Sequence, residues 1–571
     1  MDSTFDSGTT QTSKLFSKLA VLVQRCCGLT RRKRGALDEK NEHSDTSSEI
    51  LEPQPTPDNN KDPKDVEGDN VLVASLEITQ DSSDDSPVHS SVGEAVASSV
   101  TSSATSSNAS SDTSSEDEAD REICDETLLR KDWEPLLALP DSVFFKTISH
   151  EFFACRDLTE NDYRMVSKHK GGFNHVRIVE ILKGPNSGKW AIKVPSSGTS
   201  KFWCEKDAQL LRSEVDTMAH ISKYTRCRIP QVAGWSDSLD NTLGAPYILM
   251  TAIEGVPADL IFYDIDDEGE LDYENADCPS PALQNIRLRF LESLANMMGS
   301  LWLLDYHQTG MVTFDRSDEL LEIPKIIPVI RQKYQADLAE LDPEDLKTEK
   351  AFEELPVVST SKDFFGRELG EDWDFLPPTT SSNRIHNGMR KVFDAVIGCA
   401  PFSPAEDPER SETFVLRHHD LDFQNILCNP YTGEVTGIID WQGVRAVPRC
   451  IGYPAAPAFL LCDWFSDYDI DVDAHMPWYL DFYRSAYAKV MNAQNGCGKY
   501  TMKSHIYATV LGLLYGSNKC QPSVGDFVKK VVREISGFRH LDEKDVLDRL
   551  GSDDPVFQQY LEAELPKVLS A

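Results

Sequence analysis

The stretch FVLRHHDLDFQNILCNPYTGEVTGIIDWQG, residues 414–443, decides the fold that we expect for this chain. An apolar run enters a polar loop that contains Asp420, and a second apolar run, residues 435–439, leads to Asp440. Between the two runs, Asn-Pro-Tyr-Thr-Gly at 429–433 favours a reversal, because Asn, Pro and Gly tolerate or pre-set turn dihedral angles. We therefore predict a hairpin that presents the two acids side by side.

The polar residues of this stretch suit phosphoryl transfer. That reaction needs a carboxylate to orient the incoming hydroxyl group and accept its proton, and oxygen ligands to hold Mg²⁺ against nucleotide phosphates. We predict Asp420 as the catalytic base, assisted by His418, which braces the loop through hydrogen bonds. Asn425 and Asp440 are the predicted metal ligands. The alternative is a loop rich in Asp and Asn that simply follows a core strand.

Two segments of this stretch carry a family resemblance. HHDLDFQNIL at 418–427, together with GIIDWQG at 437–443, resembles the catalytic and metal-binding motifs of the aminoglycoside phosphotransferase family. That family has a protein-kinase-like fold, which it shares with choline kinase and related small-molecule kinases. The resemblance extends, with decreasing clarity, from about Leu158 to the C-terminal region. It implies a two-lobed α+β enzyme.

The resemblance also assigns roles to individual residues. It implies that Asp420 is the catalytic aspartate, that Asn425 binds metal, and that Asp440 matches the aspartate of the Asp-Phe-Gly motif of protein kinases. Trp441 and Gln442 follow instead of Phe-Gly, and no Ala-Pro-Glu triplet follows. Protein-kinase activity is therefore the weaker interpretation.

Upstream, residues 163–182 predict two strands around the pair Gly171 and Gly172. In a kinase-like lobe this turn lies over the triphosphate, because glycine lets backbone N–H groups approach the phosphates closely. An ordinary hairpin is the alternative. Residues 190–195 predict a third strand with a single cation, Lys193, which is costly to bury without a carboxylate or phosphate partner. We predict that Lys193 holds the nucleotide phosphates.

The predicted carboxylate partner of Lys193 is Glu214. It lies in residues 206–221, where apolar side chains recur at helical spacing. The family resemblance implies that this helix carries the glutamate that pairs with the strand lysine. Glu205 and Asp216 are alternatives, and an ordinary solvated carboxylate is the plainer interpretation of Glu214.

The last strands of the small lobe are predicted at 229–232 and 246–250, followed by a hinge at 251–255. Backbone groups of a hinge can bond an adenine edge, and we assign that contact to Ala252 and Ile253. The remaining predicted elements belong to the large lobe: a long core helix at 282–306, shorter pieces including 318–321 and 344–354, and closing helices at 459–464, 478–490, 506–514 and 527–535.

The N-terminal region has a different composition. Residues 1–36 form a basic tail, and within residues 11–34 apolar side chains at helical spacing could contact a membrane surface peripherally. A mitochondrial transit peptide, a nuclear-localisation patch and an inert flexible tail are the alternatives. Residues 37–122, rich in Ser, Thr and acids, predict a disordered arm because they cannot bury enough apolar surface to offset the ordering entropy.

Charge and cysteine content limit the possible partners. The 571 residues carry a net charge of −37, which argues against a nucleic-acid partner, since phosphate contacts need clustered Lys and Arg. The 13 cysteines show no zinc-site spacing. Without a secretory signal, we expect reduced thiols and a cytoplasmic protein, with a mitochondrial location as the alternative.

Together these observations predict a bilobal protein-kinase-like fold behind a disordered arm. The predicted small β-rich lobe with its lead-in spans 123–253, and the larger, mainly helical lobe spans 254–571. We predict an enzyme that uses ATP, or another nucleoside triphosphate, and Mg²⁺ to phosphorylate the hydroxyl group of a small molecule. A pseudokinase or nucleotide-binding scaffold is the alternative. Neither the acceptor nor the oligomeric state follows from the sequence.

Overall fold

The computed structural model describes residues 129–266, 269–314, 323–333, 335–366, 377–399, 411–464, 468–470, 473–515 and 521–570. The predicted tail at 1–36, the predicted arm at 37–122 and the piece expected at 318–321 lie outside these residues. Within the described ranges, no helix is both long enough and apolar enough to cross a membrane.

The small lobe is built on an antiparallel sheet. In the described chain this sheet has five strands in the order β1-β2-β3-β5-β4. The strands are β1 (Tyr163–Lys170), β2 (Asn174–Ile181), β3 (Gly188–Pro195), β4 (Val232–Ser236) and β5 (Tyr247–Thr251). The predicted strand at 229–232 therefore begins later, at Val232. The preceding residues, which include the buried Ile229, approach the sheet as a loop.

Helices cover both faces of this sheet. The lead-in helices α1 (Trp133–Leu137) and α2 (Asp141–Glu151) place Phe144 and Ile148 against one face. Helix α3 (Glu205–Tyr224) packs on the other face through side chains at helical spacing, among them Val215 and Met218. Because both faces are covered, β3 is buried along Ala191–Val194 instead of alternating with solvent.

The hinge between the lobes turns at Gly255, which has φ +147°. A Cβ atom at this position would lie 2.8 Å from the carbonyl oxygen of Cys428, so a side chain does not fit. The chain then forms β6 (Val256–Pro257), which pairs with β13 (Ile426–Cys428), and β13 pairs in turn with β14 (Val435–Ile438). The hinge is thereby joined directly to the 414–443 stretch.

Helices make up most of the large lobe. They are α4 (Asp259–Phe262), α5 (Pro281–Gly299), α6 (Gln335–Ala339), α7 (Ser361–Gly366), α8 (Ser381–Gly398), α9 (Pro477–Asn495), α10 (Gly498–Met502), α11 (Ser504–Tyr515), α12 (Gln521–Glu534), α13 (Glu543–Gly551) and α14 (Pro555–Leu569). Helix α5 starts where the hydroxyl of Ser280 accepts the N–H of Leu283, with Pro281 in the first turn.

Two helix predictions need correction. The helix predicted at 282–306 ends at Gly299 and continues as a 3-10 turn, Ser300–Leu303, and then as a strand. The segment at 459–464 is not one helix but two 3-10 turns, Ala458–Leu460 and Cys462–Trp464.

The large lobe also contains sheets made of short strands. Five strands of the described chain pair in the order β7-β12-β15-β8-β9, and β10 pairs with β11 as a separate hairpin. These strands are β7 (Asp305–Tyr306), β8 (Gly310–Phe314), β9 (Pro324–Ile327), β10 (Val329–Gln332), β11 (Phe352–Leu355), β12 (Phe414–Arg417) and β15 (Arg445–Val447). Most are too short to show a periodic pattern, and the sequence did not predict the additional sheet. The bilobal kinase-like fold, with a β-rich small lobe and a mainly helical large lobe, is confirmed.

Candidate active site

A cavity of about 660 Å³ lies between the two lobes. One end is formed by the hinge and the other by the turn between β1 and β2. Its walls bring together most of the residues that the sequence singled out: Gly171, Gly172, Lys193, Ala252, Ile253, Asp420 and Asp440. Residues separated by up to about 270 positions in sequence thus share one cavity.

Lys193 lies at the centre of an ion-pair triad. Its ammonium group, on a residue that is 5% exposed, donates to Oε1 of Glu214 at 2.8 Å and to Oδ1 of Asp440 at 2.6 Å. Burial lowers the pKa of Lys193, but the attraction of the two carboxylates outweighs burial and raises this pKa above its ordinary value. The Lys193–Glu214 pair was predicted. The direct contact with Asp440 was not.

The two carboxylates of the triad have opposite pKa shifts. Burial raises the pKa of Glu214, against the attraction of Lys193. Burial also acts on Asp440, but the attraction and hydrogen bond of Lys193 outweigh it and hold the pKa of Asp440 below its ordinary value. Asp440 is therefore ionised at neutral pH and can accept a cation.

The backbone at Asp440 is unusual. It has φ +59°, in the left-handed region that few residues other than glycine, Asn and Asp adopt. The neighbouring residues stabilise this turn: the N–H of Ile439 donates to the carbonyl of Asn425 at 2.9 Å, and the buried Trp441 ring donates to the carbonyl of Ile438 at 2.9 Å. The turn aims the Asp440 carboxylate at Lys193.

The carboxylate of Asp420 is oriented by two amide side chains. Its Oδ2 accepts from Nε2 of Gln424 at 3.1 Å and from Nδ2 of Asn425 at 2.9 Å. Because Oδ2 is occupied, Oδ1 is the oxygen left to meet an acceptor hydroxyl. Gln424 belongs to the HHDLDFQNIL segment, and its contact with Asp420 had no separate signal in the sequence.

His418 lies behind the loop that it was predicted to brace. It is 4% exposed, its Nδ1 accepts the N–H of Asp420 at 3.2 Å, and its Nε2 lies 2.9 Å from the carbonyl of Ile439. Burial lowers the pKa of His418, so the ring is neutral and Nε2 carries the proton that it donates. His418 ties the Asp420 loop to the Asp440 turn and is a positioning residue instead of a proton carrier.

Asp422 is an additional acid beside the predicted base. Its Oδ1 accepts the N–H of Phe423 at 2.9 Å. Burial, with a further contribution from Asp420 and Asp259, raises the pKa of Asp422 to about 6. Asp422 belongs to the same HHDLDFQNIL segment, and the sequence did not predict its raised pKa because burial cannot be read from a single acid in a loop.

The predicted glycine turn differs from the expected phosphate loop. The N–H of Gly171 donates to the carbonyl of Asn174 at 2.8 Å and closes the hairpin, so it is not available to a phosphate. Neither Gly171 nor Gly172 has a positive φ. The turn is nevertheless held over the cavity, because Nδ2 of Asn174 donates to Oε1 of Gln442 at 2.8 Å.

At the hinge, the N–H of Ala252 donates to the carbonyl of Lys189 at 3.1 Å. The N–H of Ala252 is therefore not available to the predicted adenine, and the carbonyl group is the backbone group that this residue has left for that contact. The Ile253 side chain packs against Gly437, where an added Cβ atom would come within 2.9 Å of it.

The two predicted metal ligands offer hard oxygen atoms. Asp440 lines the cavity, whereas Asn425 is 1% exposed and donates its amide N–H groups to Asp420, which leaves Oδ1 as the atom able to bind a metal. No group of three or more His, Cys, Asp or Glu side chains able to hold a metal occurs among the described residues. Such a pair fits Mg²⁺, which takes one or two protein ligands and completes its shell with water and phosphate oxygens.

Comparison with known proteins gives distant likenesses. No family model matches the chain. A subtelomeric hrmA-associated cluster protein of Aspergillus fumigatus, from each of two strains, is 24% identical over 318 residues, which is 50% of this chain and 59% of the relative. The chain thus spans about three fifths of the length of these curated relatives.

Solved structures of three phosphotransferases are also similar. The wild-type aminoglycoside 2'-phosphotransferase-IIIa in its GDP complex is 14% identical, with 68% of this chain and 96% of that chain covered and a TM-score of 0.33. A macrolide 2'-phosphotransferase from Brachybacterium faecium is 10% identical, with 67% and 96% covered and a TM-score of 0.32. A choline kinase from Cryptosporidium parvum is 10% identical, with 75% and 94% covered and a TM-score of 0.32.

Proposed function

We propose that this chain is a phosphotransferase that moves the terminal phosphoryl group of a nucleoside triphosphate such as ATP, with Mg²⁺, to the hydroxyl group of a small molecule. The observation that supports this proposal is that two groups of side chains lie in the same cavity. The Lys193 triad provides cationic and anionic groups for a phosphate and its metal, and the oriented Asp420 carboxylate provides a base.

Each group has a distinct task in this proposal. Lys193 contacts the nucleotide phosphates while Glu214 fixes its position. Asp420, with Oδ2 fixed by Gln424 and Asn425, presents Oδ1 to the acceptor hydroxyl and takes its proton as the hydroxyl oxygen bonds to the terminal phosphorus. The bond from that phosphorus to the bridging oxygen breaks, and the nucleoside diphosphate leaves. Mg²⁺, when bound, neutralises charge on the phosphates, and Asn425 and Asp440 would hold it.

One contact favours a second candidate function. Lys193 bonds an oxygen of Asp440 directly at 2.6 Å, which occupies part of a proposed metal ligand. A nucleotide-binding scaffold that has this fold and transfers no phosphoryl group would keep such a contact. The absence of Asp-Phe-Gly and Ala-Pro-Glu triplets makes protein phosphorylation the least favoured activity.

The first experiment measures nucleotide binding by thermal shift. Wild type, Lys193→Ala and Asp440→Ala are compared with Mg-ATP and Mg-GTP, because a ligand that binds only the native state raises its Tm. The exposed Asp240→Ala variant is the matched control. We expect a Mg-dependent rise in wild type and control that both cavity variants weaken. No rise with either nucleotide at saturation would refute the proposal.

Turnover then separates the two candidate functions. Nucleotide hydrolysis and transfer are measured against a panel of small hydroxyl compounds, for wild type and Asp420→Asn. The phosphotransferase predicts transfer that Asp420→Asn reduces by about a hundredfold or more. Binding without transfer across the panel, unchanged in Asp420→Asn, would establish the scaffold instead.

We also propose a cytoplasmic location, the absence of a nucleic-acid partner, and peripheral membrane contact through residues 11–34. The basic and apolar pattern of that segment supports the membrane contact. A fluorescent fusion with and without residues 1–36 tests it. Mitochondrial import of the full chain that is lost on deletion would replace this proposal with the transit-peptide alternative.

A further inference from the structure

One lysine of the cavity wall has no role in the proposed machinery. Lys333 follows β10, is half-buried and lines the cavity beside Gln332 and Phe352. Its backbone N–H donates to the carbonyl of Ala351 at 2.9 Å. In the part of the chain that the structure describes, its ammonium group makes no ion pair or hydrogen bond. A cation placed in a cavity wall without a partner is available to an anionic ligand.

The hairpin that carries Lys333 is fastened to the small lobe. Strands β10 and β11 pair from Val329–Leu355 to Gln332–Phe352. Arg130 donates to the carbonyl of Leu346 at 2.9 Å, and its guanidinium carbon lies 4.5 Å from the centre of the Phe352 ring. The same guanidinium group donates to both oxygens of Asp207 in the first turn of α3. These contacts hold the hairpin and Lys333 beside the start of α3.

Strand β3 runs along the cavity from the hinge to the glycine turn and so defines its two ends. Its Lys189 meets the hinge residue Ala252, and its far end leads to Ser196, whose N–H donates to the carbonyl of Phe173 at the tip of the glycine turn, at 2.8 Å. At about 3.3 Å per residue, the seven steps from Lys189 to Ser196 span ~23 Å. Lys193 lies between them. The cavity therefore extends well past Lys193 toward the turn.

The start of α3 belongs to the end far from the hinge. The hydroxyl of Ser197, next to Ser196, donates to Oδ1 of Asp207 at 3.1 Å, and all three residues line the cavity. Because Lys333 is held beside this part of α3, it stands at the end opposite the hinge. A nucleoside triphosphate with its base at the hinge directs its phosphates toward that end.

The other basic side chains of the described cavity wall already have carboxylate partners. The lysines and arginines that line the described cavity are Lys189, Lys193 and Lys333. Lys189 is at the hinge, 3.8 Å from a carboxylate oxygen of Glu254, and Lys193 already faces two carboxylates. The N–H of Gly171 is used within its hairpin. Among the described residues that line the cavity, Lys333 is thus the basic side chain without a carboxylate partner.

We propose that Lys333 binds the terminal phosphate groups of the nucleoside triphosphate, supplying from the large lobe the contact that the closed glycine turn does not make. This inference rests on the proposed function. It assigns the β10–β11 hairpin a part in nucleotide binding, through a residue about 90 positions before the catalytic loop.

The test measures dissociation constants of Mg-ATP, Mg-GTP and the two nucleosides for wild type, Lys333→Met and Lys333→Arg. Lys325→Met, at an exposed lysine of β9, is the matched control. A charge-assisted hydrogen bond to phosphate is lost only in Lys333→Met, so its triphosphate affinity should fall about ten- to hundredfold. The nucleoside affinity of Lys333→Met should stay within about twofold of wild type. For Lys333→Arg and Lys325→Met, both the triphosphate and the nucleoside affinities should stay within about twofold of wild type.

The outcomes separate this inference from the proposed function. If wild type binds a triphosphate and Lys333→Met binds it equally well, the inference is overturned and the proposed function stands. An equal loss of nucleoside affinity in Lys333→Met would also overturn it, because Lys333 would then support the cavity and not the phosphates. A wild type that binds neither triphosphate overturns both proposals. The Tm of each variant without ligand, with Lys333→Gln as a second uncharged variant, identifies any folding defect.

Discussion

Lys193→Met should destabilise the folded protein in a manner that depends on pH and on Glu214. The substitution keeps a chain of similar length and removes the charge that two carboxylates share. Among the described residues, Lys193 is the hydrogen-bond partner of Glu214, whose side chain is 6% exposed. The variant therefore leaves a buried carboxylate without its cation.

The magnitude follows from the burial of the pair. Removing one partner of a buried ion pair costs about 3–5 kcal/mol, because the remaining charge keeps its desolvation penalty. Glu214→Gln should cost less, since Lys193 retains Asp440 at 2.6 Å. In the double variant Lys193→Met/Glu214→Gln no buried charge is left at position 214, so it should be more stable than Lys193→Met alone.

The sign of the pH dependence is fixed by the carboxyl group. Burial already raises the pKa of Glu214, and losing Lys193 raises it further. A carboxyl group with a raised pKa in the folded state destabilises that state above its unfolded pKa, and the penalty disappears as the group becomes protonated at lower pH. The stability lost in Lys193→Met should therefore be larger at pH 8 than at pH 5.

Chemical denaturation at pH 5 and pH 8, followed by tryptophan fluorescence, measures the four proteins of this cycle. Equal losses for Lys193→Met and Glu214→Gln, both independent of pH, would refute the reasoning. So would a double variant that is less stable than Lys193→Met. The result needs no nucleotide, so it tests the triad independently of the proposed function.

Two further predictions concern the catalytic loop and the hinge. Burial raises the pKa of Asp422 to about 6, so its ionised form destabilises the fold above that pH by up to about 3 kcal/mol. Asp422→Asn should consequently raise the Tm more at pH 7.5 than at pH 4.5, and equal changes at the two pH values would contradict this. Gly255→Ala should lower stability by about 2 kcal/mol or more, because its Cβ atom would lie 2.7 Å from Oγ1 of Thr436. Gly184→Ala, also at positive φ but with no atom within 4 Å, should cost clearly less in the same thermal melts.

Much of the fold and part of the site could be predicted because the signals are local. The 414–443 stretch holds its acids, its turn residues and its apolar runs within thirty positions. The contact between Asp420 and Asn425 spans five residues of one loop. The Lys193–Glu214 pair joins a strand to the next helix, and a lone cation on an apolar strand requires such a partner.

Other features had no local signal. Strands such as β7 and β15 have two and three residues, too few for a periodic pattern, and their pairing joins distant segments. Helix α5 ends at Gly299 although apolar residues continue to Leu304, so the prediction ran on to 306. The role of Lys333 depends on a hairpin that packs beside α3 and lies more than a hundred residues from it in sequence.

The sequence by itself determined the kinase-like fold class, the order of the lobes and the residue types suited to phosphoryl transfer, because hydrophobic periodicity, turn residues and isolated charges act over short distances. Only the tertiary structure decided how those residues are used. Asp440 contacts Lys193 across 247 positions, and the N–H of Gly171 donates within its own hairpin. Lys333 lines the cavity from the large lobe. Each of these depends on which surfaces pack together, since burial and long-range contacts set both the partners of a charge and its pKa.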